Sequence, residues 1–151
     1  MNLITYFALL FSSFTSVSSE PIKTAQDPQP AYGCSSYVEP TLKLTVYTSA
    51  EKESEYPGGS SALGQFINKN LIEANLDANV DCHVKIKMII DASGEIKKAV
   101  PVRGDAEVKE PNANEKEVLR VYLKSGTWVP GKCGGNNVAT EIVQSFTPCI
   151  K

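Results

Sequence analysis

The fold is decided by residues 82–103, which read CHVKIKMIIDASGEIKKAVPVR. Apolar and polar side chains alternate over the first nine residues, which is the period of a β-strand with one buried face. Asp91–Gly94 supplies a tight turn, because Gly94 can adopt a positive φ. The chain then returns as a second strand, in which Lys98 interrupts the apolar face and marks a bulge or a strand end. This stretch therefore predicts a β-hairpin. The buried side of its second strand is predicted to carry Ile96, Val100 and Val102.

Two amphipathic helices are predicted on either side of this hairpin. The first covers residues 60–73, where apolar residues recur at helical spacing after a Pro-Gly-Gly turn. The second begins at Asn112, with two glutamates near its positive end, and ends at Gly126. A strand around Leu44 precedes the first helix, and a last strand over about residues 138–147 follows the second. The predicted element order is therefore β, α, β, β, α, β.

The connections between these elements predict how the strands are arranged. The second helix returns the chain to the top of the hairpin, so the last strand runs antiparallel to the first hairpin strand. An all-antiparallel sheet then has the order second, first, last, and both helices cover one face. The predicted fold class is α+β, with two helices packed on one face of a three- to four-stranded antiparallel sheet. In this arrangement the last strand lies at a sheet edge.

The first nineteen residues differ from the rest because they carry no charged side chain. Their apolar run is roughly half of the ~20 residues that a membrane span needs, and Ser/Thr-rich sequence follows it. Val17 and Ser19 are small residues at the positions that a signal peptidase reads, so cleavage is predicted between Ser19 and Glu20. The alternative interpretation is a membrane anchor. The predicted organisation is a signal peptide at 1–19, a flexible Pro-containing leader at 20–39 and a folded domain at 40–151, in the periplasm or secreted.

Four cysteines follow the predicted signal peptide: Cys34, Cys82, Cys133 and Cys149. An even number in an exported chain predicts two disulfides. The strand order brings Cys82 next to Cys149, which leaves Cys34 to pair with Cys133. No Cys-x-x-Cys pair occurs, and His83 is the single histidine, so no metal site is predicted.

Composition and motifs exclude several function classes. The chain has 151 residues, 42% of them hydrophobic, which suits one domain with a real core. The formal net charge is −2, so there is no basic excess to hold a phosphate backbone, and no nucleic-acid partner is expected. No base–nucleophile pair or Gly-rich phosphate loop stands out, so we expect neither an enzyme nor catalytic residues nor a cofactor.

Four short motifs occur in an order and spacing that resemble one protein family. They are Tyr56-Pro57-Gly58-Gly59, the hairpin from Val84 to Gly104, Glu117-Val118-Leu119-Arg120 and Trp128-Val129-Pro130-Gly131-Lys132. Together they cover about residues 54–147 and resemble the TonB C-terminal domain family, in its short branch that contains Pro-Gly-Gly. We assign Trp128 and the Pro-Gly-Gly turn to the fold and not to partner contact.

The resemblance implies a periplasmic binding domain of gram-negative bacteria. Members of that family dock on outer-membrane TonB-dependent receptors and take a short receptor segment as an extra strand beside the last strand of the sheet. Strand addition needs a free sheet edge, which the predicted arrangement provides. The predicted partner-binding strand consists of Val138, Ala139, Thr140, Glu141, Ile142, Val143, Gln144, Ser145 and Phe146.

The chain departs from a complete energy transducer in two features. A transducer needs an inner-membrane helix and a long Pro-rich spacer, whereas here the apolar segment is short and the leader has about twenty residues. We therefore expect an exported, disulfide-stabilised binding domain for a protein or peptide in the cell envelope, without energy transduction. The alternative is a secreted binding or inhibitor protein that reuses the fold for an unrelated ligand. The same edge would also serve strand exchange between two copies in a homodimer.

Overall fold

A computed structural model of the chain describes residues 33–148, so the predicted signal peptide and most of the predicted leader lie outside the described residues. The strands are β1 (Ser35–Glu39), β2 (Leu44–Ser49), β3 (Val84–Ile90), β4 (Ile96–Arg103), β5 (Ala106–Glu107), β6 (Gly131–Cys133) and β7 (Asn136–Phe146). The α-helices are α1 (Gly59–Asn70) and α2 (Ala113–Leu123), and a 3-10 turn spans Glu73–Asn75. No helix in this part of the chain is long and apolar enough to cross a membrane.

The central hairpin, β3 and β4, forms where the sequence predicts it. The side-chain carboxylate of Asp91 accepts hydrogen bonds from the backbone N–H groups of Ser93 and Glu95, which closes the turn. The β3–β4 register shifts between Ile89 and Ile90, because their partners are Lys98 and Ile96. The residue between those partners is therefore extra, and this is the bulge that Lys98 indicates.

The bulge changes which side chains of β4 are buried against the helices. Ala99 and Pro101 lie opposite Met88 and Ile86, on the face that packs against the helices. The prediction that Val100 and Val102 share one face with Ile96 was wrong, because an inserted residue reverses the alternation that follows it.

The strand pairing confirms one part of the predicted arrangement and overturns the fold class. The neighbours of β3 are β4 on one side and β7 on the other, both antiparallel, which is the predicted order second, first, last. The sheet as a whole is not a three- to four-stranded antiparallel sheet. It has seven strands in the described residues, in the order β1-β2-β7-β3-β4-β5 with β6 also on β7, and β2 pairs with β7 in parallel.

The strands that the sequence did not reveal are short. β5 and β6 have two and three residues, too few to show an alternating pattern, and the five residues of β1, SSYVE, do not alternate between apolar and polar. β1 lies within residues 20–39, which the sequence places in the leader. Its pairing with β2 forms an N-terminal hairpin, Ser35–Ser49, that belongs to the sheet.

Both helices pack on the same face of the sheet and enclose the main core with Trp128. The core residues are Leu63, Ile67, Val84, Ile86, Met88, Ile90, Val118, Val121, Tyr122, Trp128 and Ile142. α2 begins at the predicted position, with Asn112 as its N-cap: the Asn112 side chain accepts from the Glu115 N–H, and the Glu115 carboxylate accepts from the Asn112 N–H.

A second, smaller set of buried side chains lies on the opposite face, which we call the back face. The strand registers place Val46, Ile89 and Ala139 there, and each is at most 5% exposed. The Glu39 carboxylate at the end of β1 lies 3.5 Å from the Lys98 ammonium on β4. Because three strands separate β1 from β4 in the sheet order, this contact requires the sheet to curl and the N-terminal hairpin to fold across its back face.

A disulfide ties the start of this hairpin to the strand that precedes β7. Cys34 and Cys133 are bonded, with their Cα atoms 6.4 Å apart and a sequence separation of 99. This is the pairing that the strand order left for these two residues. Cys82 is also disulfide-bonded, whereas Cys149 lies outside the described residues.

Candidate functional site

The predicted partner-binding strand, Val138–Phe146, falls within β7, but β7 is not an edge strand along its whole length. Val138 pairs with Gly131 of β6, while Ala139 and Thr140 pair with β2. Ala139 is 5% exposed and Thr140 is fully buried. The first three residues of the predicted site are therefore enclosed by the protein's own strands and are closed to a partner.

The remaining six residues, Glu141–Phe146, form what we call the outer edge. Within residues 33–148 their strand pairing is to β3 alone, from Ile89 opposite Glu141 to Val84 opposite Phe146. Ile142 is buried in the core, whereas Val143 is 52% exposed. In the part of the chain that the structure describes, the outer edge is thus paired on one side and has no paired strand on the other, which is the geometry that strand addition requires.

A small cleft opens beside the outer edge, between α1 and the end of β7. Its volume is about 90 Å³. The cleft is lined by Ser60, Leu63, Gly64, Ile67, Tyr122, Gln144, Ser145 and Phe146. A cavity of 150 Å³ accommodates benzene, so a cleft of this size suits an aliphatic side chain and not an aromatic ring. Gly64 opens the wall on the helix side, because a Cβ added there would have no atom within 4 Å.

A tyrosine from the N-terminal hairpin contacts the first residue of the outer edge. The Tyr37 hydroxyl donates a hydrogen bond of 2.7 Å to the Glu141 carboxylate. Burial, and then the hydrogen bond to Glu141 and its negative charge, raise the pKa of the Tyr37 phenol, so the hydroxyl keeps its proton and stays a donor. This contact ties β1 to the first residue of the outer edge.

A charge network on the back face holds the hairpin in place. The Glu39 carboxylate accepts from the Leu42 N–H at 2.6 Å, and this bond, together with Lys98, lowers the pKa of Glu39. Lys98 also bonds Glu107 at 3.0 Å, as does Lys87. Hydrogen bonding to Glu107 raises the pKa of Lys98. Glu39, Lys98 and Glu107 are each held in the charged form by a partner, so the network positions strands.

Three potential metal ligands meet at the disulfide. The ligand atoms of Cys34, Glu51 and Cys133 lie within 4.8 Å of one another. Because the two sulfur atoms are bonded to each other, neither is available as a thiolate. In the oxidised protein this group offers one carboxylate and is not a zinc centre.

A larger concavity of 460 Å³ lies at the start of α2. The carboxylate in its lining, Glu117, is buried and accepts hydrogen bonds from the Ile72 N–H, the Asn75 amide and the Arg120 guanidinium. These contacts tie the 3-10 turn to α2, so Glu117 serves the fold.

No family model, curated protein or solved structure matches the chain. The resemblance to TonB C-terminal domains therefore rests on the four motifs alone.

The sequence interpretation missed the contribution of the N-terminal hairpin to this site. Tyr37 and Glu39 lie in a stretch with three prolines upstream, which is typical of a mobile leader. One signal was available: pairing Cys34 with Cys133 requires the segment around residue 34 to lie against the chain just before the last strand. That requirement is incompatible with a free leader at this position.

Proposed function

We propose that this chain is an exported, disulfide-stabilised binding domain, which accepts an extended segment of a protein or peptide as an added strand along the outer edge. The observation that carries the proposal is that Glu141–Phe146 pairs with β3 on one side and has no strand on the other within the described residues. Backbone hydrogen bonds to the outer edge would supply affinity, and alternate side chains of the added strand would supply specificity.

The cleft beside α1 supports strand addition over a flat surface contact. Gln144 and Phe146 line it, and they lie on the same face of β7 as the core residue Ile142. A strand added beside them would direct every second side chain toward α1. One of those side chains would fill the cleft and exclude water from it.

The proposed partner is a segment of an outer-membrane TonB-dependent receptor in the cell envelope. This class follows from the four motifs that resemble TonB C-terminal domains. Energy transduction is not part of the proposal.

The test is a titration of isotope-labelled residues 20–151 with receptor N-terminal peptides, followed through backbone amide shifts. We expect saturable shifts concentrated on Glu141–Phe146 and on the α1 residues that line the cleft. Gly64→Leu should fill the cleft and weaken binding at least tenfold, while Gly64→Ala should bind like the wild type. Alanine at this half-buried helix position, where the added Cβ meets no atom within 4 Å, should also stabilise the fold by roughly 0.5–1 kcal/mol.

Two results would contradict the proposal. The first is a flat titration at millimolar peptide, which would favour a secreted binding or inhibitor protein with an unrelated ligand. The second is a set of shifts on the concavity at the start of α2 that leaves the outer edge unchanged.

A further inference from the structure

The N-terminal hairpin already occupies part of the β7 edge. β2 pairs with β7 in parallel through two residues, with Val46 opposite Ala139 and Tyr47 opposite Thr140. In this position β2 pairs as an added strand would, along the two residues of β7 that immediately precede the outer edge. The protein's own chain therefore competes with a partner for the upper part of β7.

Within Ser35–Ser49 the non-covalent hold on the rest of the protein is small, and the chain is next fixed at Lys52, whose backbone N–H and carbonyl bond the Lys132 carbonyl and N–H at 3.2 and 2.7 Å. Val46 is the hairpin's one fully buried apolar side chain, and four of the five residues of β1 are exposed. Two side-chain contacts connect β1 to strands other than β2: Tyr37 to Glu141 on β7, and Glu39 to Lys98 on β4. A two-stranded hairpin is marginal by itself in water, so segments held in this way open at a small fraction of the global unfolding free energy.

The disulfide is the covalent part of the hold. Cys34 immediately precedes β1, and Cys133 ends β6 next to β7. Both cysteines are only partly buried, so a thiolate can reach them from solvent. While the bond is closed, the hairpin cannot leave the β7 edge by more than the length of a few residues.

We propose that the N-terminal hairpin is a tethered strand that covers Ala139 and Thr140, and that opening the Cys34–Cys133 disulfide with a dithiol releases it. The release lengthens the partner edge from the six residues Glu141–Phe146 to the eight residues 139–146. This inference rests on the function proposed above for the outer edge, since the partner is the same added strand.

The redox step is balanced by ordinary thiol–disulfide exchange. One thiolate of the dithiol attacks a sulfur of the Cys34–Cys133 bond and forms a mixed disulfide, which releases one protein thiolate. The second thiol of the reductant resolves the mixed disulfide. The protein disulfide gains two electrons and two protons as two thiols, and the dithiol becomes a disulfide.

The first experiment is amide hydrogen exchange on the Cys34→Ser/Cys133→Ser double variant, which retains Cys82. We expect exchange at Val46 and Tyr47 to accelerate at least tenfold, while Ile86 and Met88 in β3 keep their protection. Val38→Ser is the matched control, because Val38 lies in the same hairpin and is 65% exposed. Equal protection of β2 in the wild type and the double variant would overturn the proposal.

If the double variant loses protection in β3 as well, the wild type is titrated with a dithiol and trapped with iodoacetamide. Alkylation of Cys34 and Cys133 together with exposed β2 amides and protected Ile86 supports release. Alkylation with β2 still protected overturns it.

The second experiment repeats the receptor-peptide titration on the double variant. We expect amide shifts to extend to Ala139 and Thr140, and shifts confined to 141–146 would overturn the longer edge. A peptide that shifts neither protein would contradict the proposed function and its longer edge, while the exchange measurement would still decide whether the hairpin is released.

Discussion

At the scale of single residues, the turn of the central hairpin and Trp128 depend on each other. Gly94 has φ +88°, and its carbonyl accepts a hydrogen bond of 2.8 Å from the Trp128 N–H. The indole N–H of Trp128 donates to the Ser125 hydroxyl, and its ring meets Tyr56 edge-on with centroids 5.6 Å apart. Trp128 is 2% exposed, so its assignment to the fold is confirmed.

A side chain at position 94 should therefore damage the fold. The Cβ of Gly94→Ala would collide with the Trp128 carbonyl oxygen, and alanine resists a positive φ. We expect a loss of more than about 2 kcal/mol in the free energy of unfolding, measured in urea. Gly135→Ala is the control, because φ there is +77° and the added Cβ meets nothing within 4 Å. Equal losses in the two variants would contradict the role of the close contact.

Glu117 predicts how stability depends on pH. It is 3% exposed, and the Arg120 guanidinium with the Asn75 and Ile72 N–H donors lowers its pKa from 4.5 to about 2. A carboxylate with a depressed folded-state pKa stabilises the protein fully above its unfolded pKa, and the stabilisation is lost as pH falls from about 4.5 to about 2. We expect Glu117→Gln to lower stability at pH 7 by about 2 kcal/mol and to flatten the curve in this window. The measurement is urea unfolding from pH 2 to 7, with the exposed Glu53→Gln as control.

At the scale of elements, the two helices are determined by local sequence and the sheet by long-range contacts. α2 has a complete capping box at Asn112, and its buried side faces β3 and β4. β7 instead takes its neighbours from across the chain: β3 over seven residues, β2 over two and β6 over three. A helix boundary could therefore be predicted from a few adjacent residues, whereas the partners of β7 could not.

The N-cap of α2 gives a prediction at this scale. Asn112→Ala removes the acceptor for the Glu115 N–H and leaves that donor without its partner in the first turn. We expect a loss of about 1 kcal/mol in thermal or urea unfolding. Asn112→Ser should recover most of it, because serine also caps helices. A serine variant no better than alanine would show that the cap is not the cause.

At the scale of the whole molecule, the sequence predicted the hairpin, both helices and the order β4-β3-β7. It did not predict the sheet, because β5 and β6 are too short to show a period, because the sequence of β1 does not alternate, and because β2 pairs in parallel with a strand more than 90 residues away. The same missing strand pairings explain why the sequence predicted a free edge along all of Val138–Phe146. Predicting β7 as a free edge required the absence of a neighbour, and the neighbour is β2, the predicted strand around Leu44, whose place beside β7 is set by a long-range parallel pairing that the connections did not indicate.

The partner of Cys82 decides whether a second disulfide links the start of β3 to the chain that follows β7. β3 begins at Val84 opposite Phe146, and His83 Nδ1 lies 3.3 Å from the Thr147 hydroxyl, so the chain leaves β7 beside Cys82. We expect non-reducing peptide mapping to link Cys82 to Cys149. Such a bond closes a loop of roughly 67 residues, worth about 4 kcal/mol on the chain-entropy model, so Cys82→Ser/Cys149→Ser should lower the melting temperature by more than about 10 °C. A peptide that joins Cys82 to Cys34 or Cys133, or four free thiols in protein exported to an oxidising compartment, would contradict both the pairing and the expectation of export.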